Sequence, residues 1–288
     1  MISASEKRET PIIRDKEIPQ TSSIELTQRQ RNEKAHYDEL YGNHPRDSQG
    51  QLVFPSPKDA FAAVSGLETR PHNQDWEFLR EIKELNLQGK TLLEIGCGTG
   101  AYVVQFAHLG AKVVAFDLSS SAIEVGIERA RYYGLEDRIT YNCTSAESMD
   151  YPDETFDVIV GSYILHHIEV EAAAKNIYRM LKPGGVAIFL EWVAWGPFDS
   201  IRSLPLVQKF FPPGDGDVTA DERKLGKNDR AVLRRYFKVV TERRFWILVR
   251  LTYFFPSTKL MLEKADLFLQ RFLPIGKAGG AAIIRMEK

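Results

Sequence analysis

The chain has 288 residues, with 38 Lys and Arg against 39 Asp and Glu, for a formal charge of −1. That balance removes the broad positive field on which sequence-independent nucleic-acid binding depends, and the length fits one large domain or one domain with appendages. Two cysteines, Cys97 and Cys143, make no disulfide framework; there is no apolar run of about 18 residues and no secretory signal, so a cytoplasmic protein without a spanning helix is expected.

Residues 1–26 are polar with scattered Pro and Ser, a composition that predicts a flexible segment. From Thr27, "TQRQRNEKAHYDELYG" predicts a helix that ends at a glycine. "DWEFLREIKELNL" predicts a second, since Trp76, Leu79, Ile82 and Leu85 keep helical spacing.

After Gly89 the pattern changes. The short apolar runs "TLLEI", "KVVAF", "ITYNC", "FDVIVG" and "VAIFLEW" alternate with "AYVVQFAHLG", "SSSAIEVGIERARYYG" and "VEAAAKNIYRMLKPGG". In the second of these helices Ile123, Ile127, Ala130 and Gly134 share a face, and Ser119 to Ser121 supply capping hydroxyls. In the third, Ala173, Ile177, Met180 and Leu181 form the face, and "KPGG" stops the helix. Strands with near-continuous apolar character between amphipathic helices predict an α/β unit, doubly wound around a mainly parallel sheet, over residues 89–195.

Residues 196–288 are less regular. "FPPGDGDVTADE" reads as a loop, and "RKLGKNDRAVLRRYF" as a helix with Leu225, Val232, Leu233, Tyr236 and Phe237 inward. "TERRFWILVRLTYFF" contains a strand, "STKLMLEKADLFLQRFL" a helix, and "GGAAIIRMEK" a closing strand. Between Arg223 and Arg250 lie ten basic and two acidic residues; Lys227, Arg230, Arg234, Arg235 and Lys238 share one helical face, expected to be solvated.

The stretch "TLLEIGCGTGAYVVQFAHLGAKVVAFDLSS" carries the chemistry. Gly96, Gly98 and Gly100 allow a sharp turn after the first strand and the approach of a ligand to backbone, and the next helix aims its first amides at that ligand. Asp117, at the tip of the second strand, is placed to accept hydrogen bonds from ribose hydroxyls. The spacing is G-x-G-x-G rather than the dinucleotide G-x-G-x-x-G, and Glu94 stands two positions before the first glycine. A carboxylate there sits poorly beside a pyrophosphate and suits a cofactor with an ammonium group and a sulfonium, as in S-adenosylmethionine.

The segment resembles the class I S-adenosylmethionine-dependent methyltransferases, in particular the group that includes the ubiquinone/menaquinone C-methyltransferases and many small-molecule enzymes. "LEIGCGTG" and "VVAFDLS" match the first two motifs, and "FDVIVGSYILHHI" followed by "IYRMLKPGGVAIFLEW" the later ones, in order and spacing. The resemblance implies a seven-stranded, mainly parallel Rossmann-like sheet, an N-terminal helical lid over residues 27–88 and a substrate-covering region over 196–288. It assigns Glu94, Gly96, Cys97, Gly98 and Gly100 to the methionine end and its loop, Asp117 to the ribose and Leu118 to the adenine. Relatives commonly carry an Asp on the adenine amino group where this chain has Ser145; Ala146 and Glu147 are the alternatives there. Ser162 directs its carbonyl at the methionine ammonium, and Tyr37 of "HYDELY" approaches the same end.

His166 and His167 follow the fourth strand and are the candidate bases, since a neutral imidazole titrates near physiological pH; methyl transfer by orientation alone needs neither. Tyr41, Tyr163, Glu191, Trp192 and Trp195 are the candidate acceptor contacts. No His, Cys or carboxylate spacing suggests a metal site. The expected activity is methyl transfer to an O, N or C nucleophile of a small molecule. Alternatives are a quinone or lipid acceptor at a membrane surface, with the basic helix as peripheral contact, a binding module without catalysis, and an NAD-dependent oxidoreductase.

Overall fold

The apolar runs become the strands β1 (Thr91–Ile95), β2 (Lys112–Asp117), β3 (Ile139–Cys143), β4 (Phe156–Ser162) and β5 (Leu181–Trp192). The C-terminal part adds β6 (Val239–Phe245) and β7 (Ala281–Glu287). The computed structural model describes residues 26–62, 74–149, 151–194, 204, 223–245, 248, 256–258, 261–262, 264–266, 268 and 279–288. Residues 1–25, the loop "FPPGDGDVTADE" and Trp195 lie outside the described residues.

The sheet runs β3-β2-β1-β4-β5-β7-β6. Its first five strands are parallel, while β7 pairs antiparallel with both β5 and β6. From β1 the chain builds outward to β2 and β3, then returns to place β4 on β1's other edge. That reversal opens a crevice at the carboxyl ends of β1 and β4, where open α/β sheets bind ligands.

Strand alternation separates two cores. Leu92, Val113, Val158 and Ile188 face α3 (Gln74–Lys83), α4 (Ala101–His108) and α5 (Ser120–Tyr132). Leu93, Ile95, Ile159 and Phe189 face α6 (Val170–Met180) and α7 (Lys227–Tyr236). With both faces covered, inner strands have no solvent side, so their sequences read as apolar runs rather than alternating ones. Each fully buried Leu, Ile or Phe contributes about 1.5–3 kcal/mol relative to exposure.

Three expectations are corrected. First, α6 ends at Met180, and Leu181 is extended at φ −69° and ψ 136°, opening β5 instead of closing the helical face. Pro183 accounts for this, since it cannot continue a helix and drives Lys182 out of helical geometry. Second, β6 begins at Val239, two residues before the expected "TERRF". Third, Arg230 does not sit on a solvated face: it is 8% exposed and pairs with Glu242 at 3.2 Å. Arg244 donates to the same Glu242 oxygen at 2.6 Å, Arg223 chelates Asp229, and Arg235 pairs with Glu171. The basic excess of this region is therefore largely answered by carboxylates.

Residues 261–262, 264–266 and 268 are helical, within the expected "STKLMLEKADLFLQRFL" helix. Among the described residues, no helix is long and apolar enough to cross a membrane.

The N-terminal helix α1 (Gln28–Gly42) has a different basis. Thr27 Oγ1 accepts from the Gln30 amide and Gln30 Oε1 accepts from the Thr27 amide, a reciprocal cap. The only residue α1 buries is Glu33, so no apolar stripe docks it and polar contacts hold it in place. A short helix over Pro57–Ala60 (α2), capped by Ser56, was not anticipated from the sequence.

Candidate functional site

The crevice is a cavity of about 450 Å³. Its floor is the loop between β1 and α4, where each glycine has a distinct reason. Gly96 has φ +66°, and a Cβ there would come within 2.7 Å of Ile164; Gly100 has φ +73°, and a Cβ would lie 2.3 Å from Tyr141 Oη. At both positions it is the protein's own packing that demands glycine. Gly98, by contrast, faces the cavity near Tyr41. Arg129 of α5 fixes the loop by donating from Nε to the Thr99 carbonyl at 2.8 Å and from Nη2 to Thr99 Oγ1 at 3.2 Å.

Two buried carboxylates flank this loop. Asp117 lines the cavity and accepts from the Gly98 amide at 2.8 Å and the Ser119 amide at 2.9 Å. Burial raises its pKa despite those hydrogen bonds. Glu94 is 1% exposed, and its Oε2 has no hydrogen-bond partner. Burial, with Asp117's charge added, pushes its pKa well above the usual carboxylate range. Burial also raises the Cys97 thiol well above its ordinary value, which leaves it a protonated packing group.

The far wall comes from residues after β3 and β4. Leu118, Ser145, Ala146 and Glu147 line it, with Ser145 Oγ 2.8 Å from Ser148 Oγ and Glu147 accepting from Gln30 Nε2 at 2.9 Å. Ser162, Tyr163, His166 and His167 continue the wall. Tyr163 adopts φ +55°, a conformation non-glycine residues seldom take, and stacks on Trp192 with ring centroids 5.0 Å apart. Trp192 also lines the cavity.

Glu191 lies behind this wall rather than in it. It is fully buried; Oε1 accepts from the Ile164 and Leu165 amides at 2.8 and 2.6 Å, and Oε2 meets His166 Nδ1 at 2.7 Å.

Helix α1 roofs the cavity with Tyr37 and Tyr41, stacked at 5.8 Å, and with Gln30 and Glu33, which the sequence did not single out. Arg29 binds Glu33 at 3.2 Å and donates to the backbone carbonyls of His166 and His167. Glu33 Oε1 is 3.3 Å from His167 Nδ1, and Tyr37 Oη is 3.4 Å from His167 Nε2. At the other end, Asp38 accepts from Ser119 Oγ at 2.7 Å and the Ser121 amide at 3.2 Å, and pairs with Lys34 at 2.6 Å. The one sequence signal for this roof was a helix with carboxylates and aromatics but no apolar stripe.

A model of the methyltransferase domain family matches residues 93–189. The ubiquinone/menaquinone biosynthesis C-methyltransferase of Escherichia fergusonii is 36% identical over 109 residues, 36% of this chain and 43% of that protein. Residues 93–189 belong to the class I S-adenosylmethionine-dependent methyltransferases. The chain thus matches less than half the length of that curated relative. Over a longer span, this methyltransferase domain and its extensions superpose on the geranyl diphosphate C-methyltransferase from Streptomyces coelicolor A3(2). The TM-score is 0.55 at 16% identity, covering 91% of this chain and 99% of that one. The cyclase SpnF superposes with TM-score 0.51 at 20% identity, covering 85% of this chain and 97% of that one. Such likenesses establish the fold of the methyltransferase domain; a cyclase among them means that its reaction must be argued from the site.

The site has groups suited to S-adenosylmethionine. Glu94 is a buried carboxylate that lacks a partner for Oε2, Asp117 retains acceptor capacity toward the cavity, and the loop between them keeps a glycine at the cavity floor. No group of three His, Cys, Asp or Glu that could hold a metal occurs among the described residues.

Proposed function

We propose that this protein transfers a methyl group from S-adenosylmethionine to a small-molecule acceptor. The observation that carries the reading is the pair of buried carboxylates, Glu94 and Asp117, on either side of a glycine loop at the reversal of strand order. A dinucleotide would bring a pyrophosphate to these carboxylates, whereas the methyl donor brings an ammonium and a sulfonium. When bound, the cofactor supplies the methyl group on sulfur for displacement by the acceptor.

The chain's own residues then have separable tasks. Asp117 accepts hydrogen bonds from ribose hydroxyls. Ser145, Ala146 and Glu147 surround the adenine with Leu118, and Gly96, Cys97, Gly98 and Ser162 enclose the methionine end. Gly100 holds the start of α4. Tyr163 and Trp192 offer the acceptor a rigid aromatic face, to which Tyr41 contributes from the roof. His166, oriented through Nδ1 by Glu191, takes a proton from the acceptor where one must leave. His167, tied to Glu33 and Tyr37, joins the roof to the wall and excludes water. Residues 27–88 act as the lid, and 196–288 cover the acceptor side.

An acceptor held at a membrane surface is a second reading. Met261 and Phe268, seven residues apart, are both 63% exposed and favour it; the carboxylate-paired arginines near α7 weigh against it. Salt-sensitive co-sedimentation with anionic liposomes supports that reading, and absence of binding removes it.

The decisive experiment is transfer of labelled methyl from S-adenosylmethionine to a native metabolite extract, with the product identified by mass. Calorimetry with S-adenosylmethionine, S-adenosylhomocysteine and NADH accompanies it. Binding of NADH alone would end the methyltransferase reading.

A further inference from the structure

Glu94 poses a problem the rest of the site does not solve. Its side chain leaves β1 between Ala115 of β2 and Val160 of β4 and is 1% exposed, with no partner for Oε2. The titratable groups that bear on it are Asp117 from β2, Cys97 from the glycine loop, Tyr102 from α4 and Tyr141 from β3. All four are acids. None can donate a cation's charge to a buried carboxylate, and Asp117 opposes its ionisation. An unpaired carboxylate in low dielectric takes up a proton instead of paying the solvation cost of its charge.

We propose that Glu94 is a proton-exchanging specificity residue: it is a neutral acid in the free protein, and it ionises when a ligand's ammonium arrives. This rests on the cofactor reading above and adds a step to it. In that step the Glu94 O–H bond breaks and its proton passes to solvent. The carboxylate left behind forms an ion pair with the ligand's ammonium, so one positive charge enters as one leaves. The site then discriminates against adenine nucleosides without an amino-acid portion. They bring no ammonium, leave Glu94 protonated, and gain nothing from it.

The sign of the pH dependence follows. A ligand that binds the ionised form must expel the proton wherever the free protein carries it. Affinity therefore rises about tenfold per pH unit below the free protein's Glu94 pKa and levels off above it.

The test is calorimetry of the full chain with S-adenosylhomocysteine at pH 6 in buffers of different ionisation enthalpy. S-adenosylhomocysteine should release up to about one proton per site, with less released as the pH is raised. 5′-Methylthioadenosine, which lacks the ammonium, should release essentially none. E94Q should bind S-adenosylhomocysteine more weakly, without proton release and without the pH dependence. Should that variant fail to fold, infrared difference spectra of the wild type give the same answer: the carbonyl stretch of a protonated carboxyl should disappear on addition of S-adenosylhomocysteine. A heat independent of buffer at pH 6, equal release in E94Q, or a persisting carboxyl band would overturn the proposal. Failure of S-adenosylhomocysteine and S-adenosylmethionine to bind at all is a different result, since it overturns the cofactor reading and this step along with it.

Discussion

His166 Nδ1 lies 2.7 Å from Glu191 Oε2, with 1% and 0% of the two side chains exposed. The same carboxylate accepts two backbone amides through its other oxygen, so the imidazole is held by a group that is itself held. H166Q should lower kcat by about 10²–10⁴-fold if His166 removes a proton, with affinity for S-adenosylhomocysteine little changed. Glu191→Gln keeps an oxygen for the Ile164 and Leu165 amides and should fold while losing part of that rate. Glu191→Ala strands the amides and the imidazole together and should cost about 3–5 kcal/mol by denaturant unfolding. An unchanged kcat in H166Q would assign this pair to structure alone.

Gly96 and Ile164 should be coupled. Gly96→Ala places a methyl against Ile164 and a side chain at φ +66°, so a loss of about 1–3 kcal/mol is expected. Ile164→Ala in the same chain relieves the clash but not the backbone strain. A double-mutant cycle should therefore return a favourable interaction energy of about 0.5–2 kcal/mol, smaller than the whole loss. Strict additivity would mean that the ligand, not Ile164, requires the glycine.

Asp38 ties the roof to the first turn of α5. Burial alone would raise its pKa, but the hydrogen bonds from Lys34, Ser119 and Ser121 outweigh that and hold it below the ordinary value. For a lowered carboxyl the stabilisation is present above the unfolded value and is lost as pH falls through the folded one. Near neutrality the clamp is therefore intact. Asp38→Ala should weaken binding of S-adenosylhomocysteine several-fold while lowering the free protein's stability by only about 0.3–1 kcal/mol. Equal affinity in the variant would free α1 from any part in the site.

Glu94 should also mark the free protein's stability curve. For a carboxyl whose folded pKa is raised, the native state binds more protons than the unfolded one. Stability then falls as pH rises from the ordinary carboxylate range through the folded value. The difference in Tm between E94Q and the wild type, measured without ligand, should widen in favour of E94Q from pH 5 to pH 8. A difference constant across that range would mean that Glu94 is already ionised.

Much of the framework was readable before any coordinates. Leu92 to Ile95, Val113 to Phe116 and Phe156 to Val160 announce themselves as strands because both faces are buried, and burial on both sides writes itself into consecutive residues. The glycine loop and Asp117 were equally legible, since a tight turn and a strand tip impose local requirements. The end of α6 was misplaced by one residue because the face pattern continued through Leu181 while Pro183 had already ended the helix.

The sequence by itself thus determined the sheet, the loop and the acid at the second strand's tip, all features set by neighbours within a few positions. Only the tertiary structure decided that Glu191 backs His166 from 25 residues away, that Glu33 reaches His167 across 134, and that Arg230 turns inward to Glu242. Such pairings are made by single polar atoms at long range. They leave no periodicity along the chain, because a charge finds its partner in space while a hydrophobic face must be repeated in sequence.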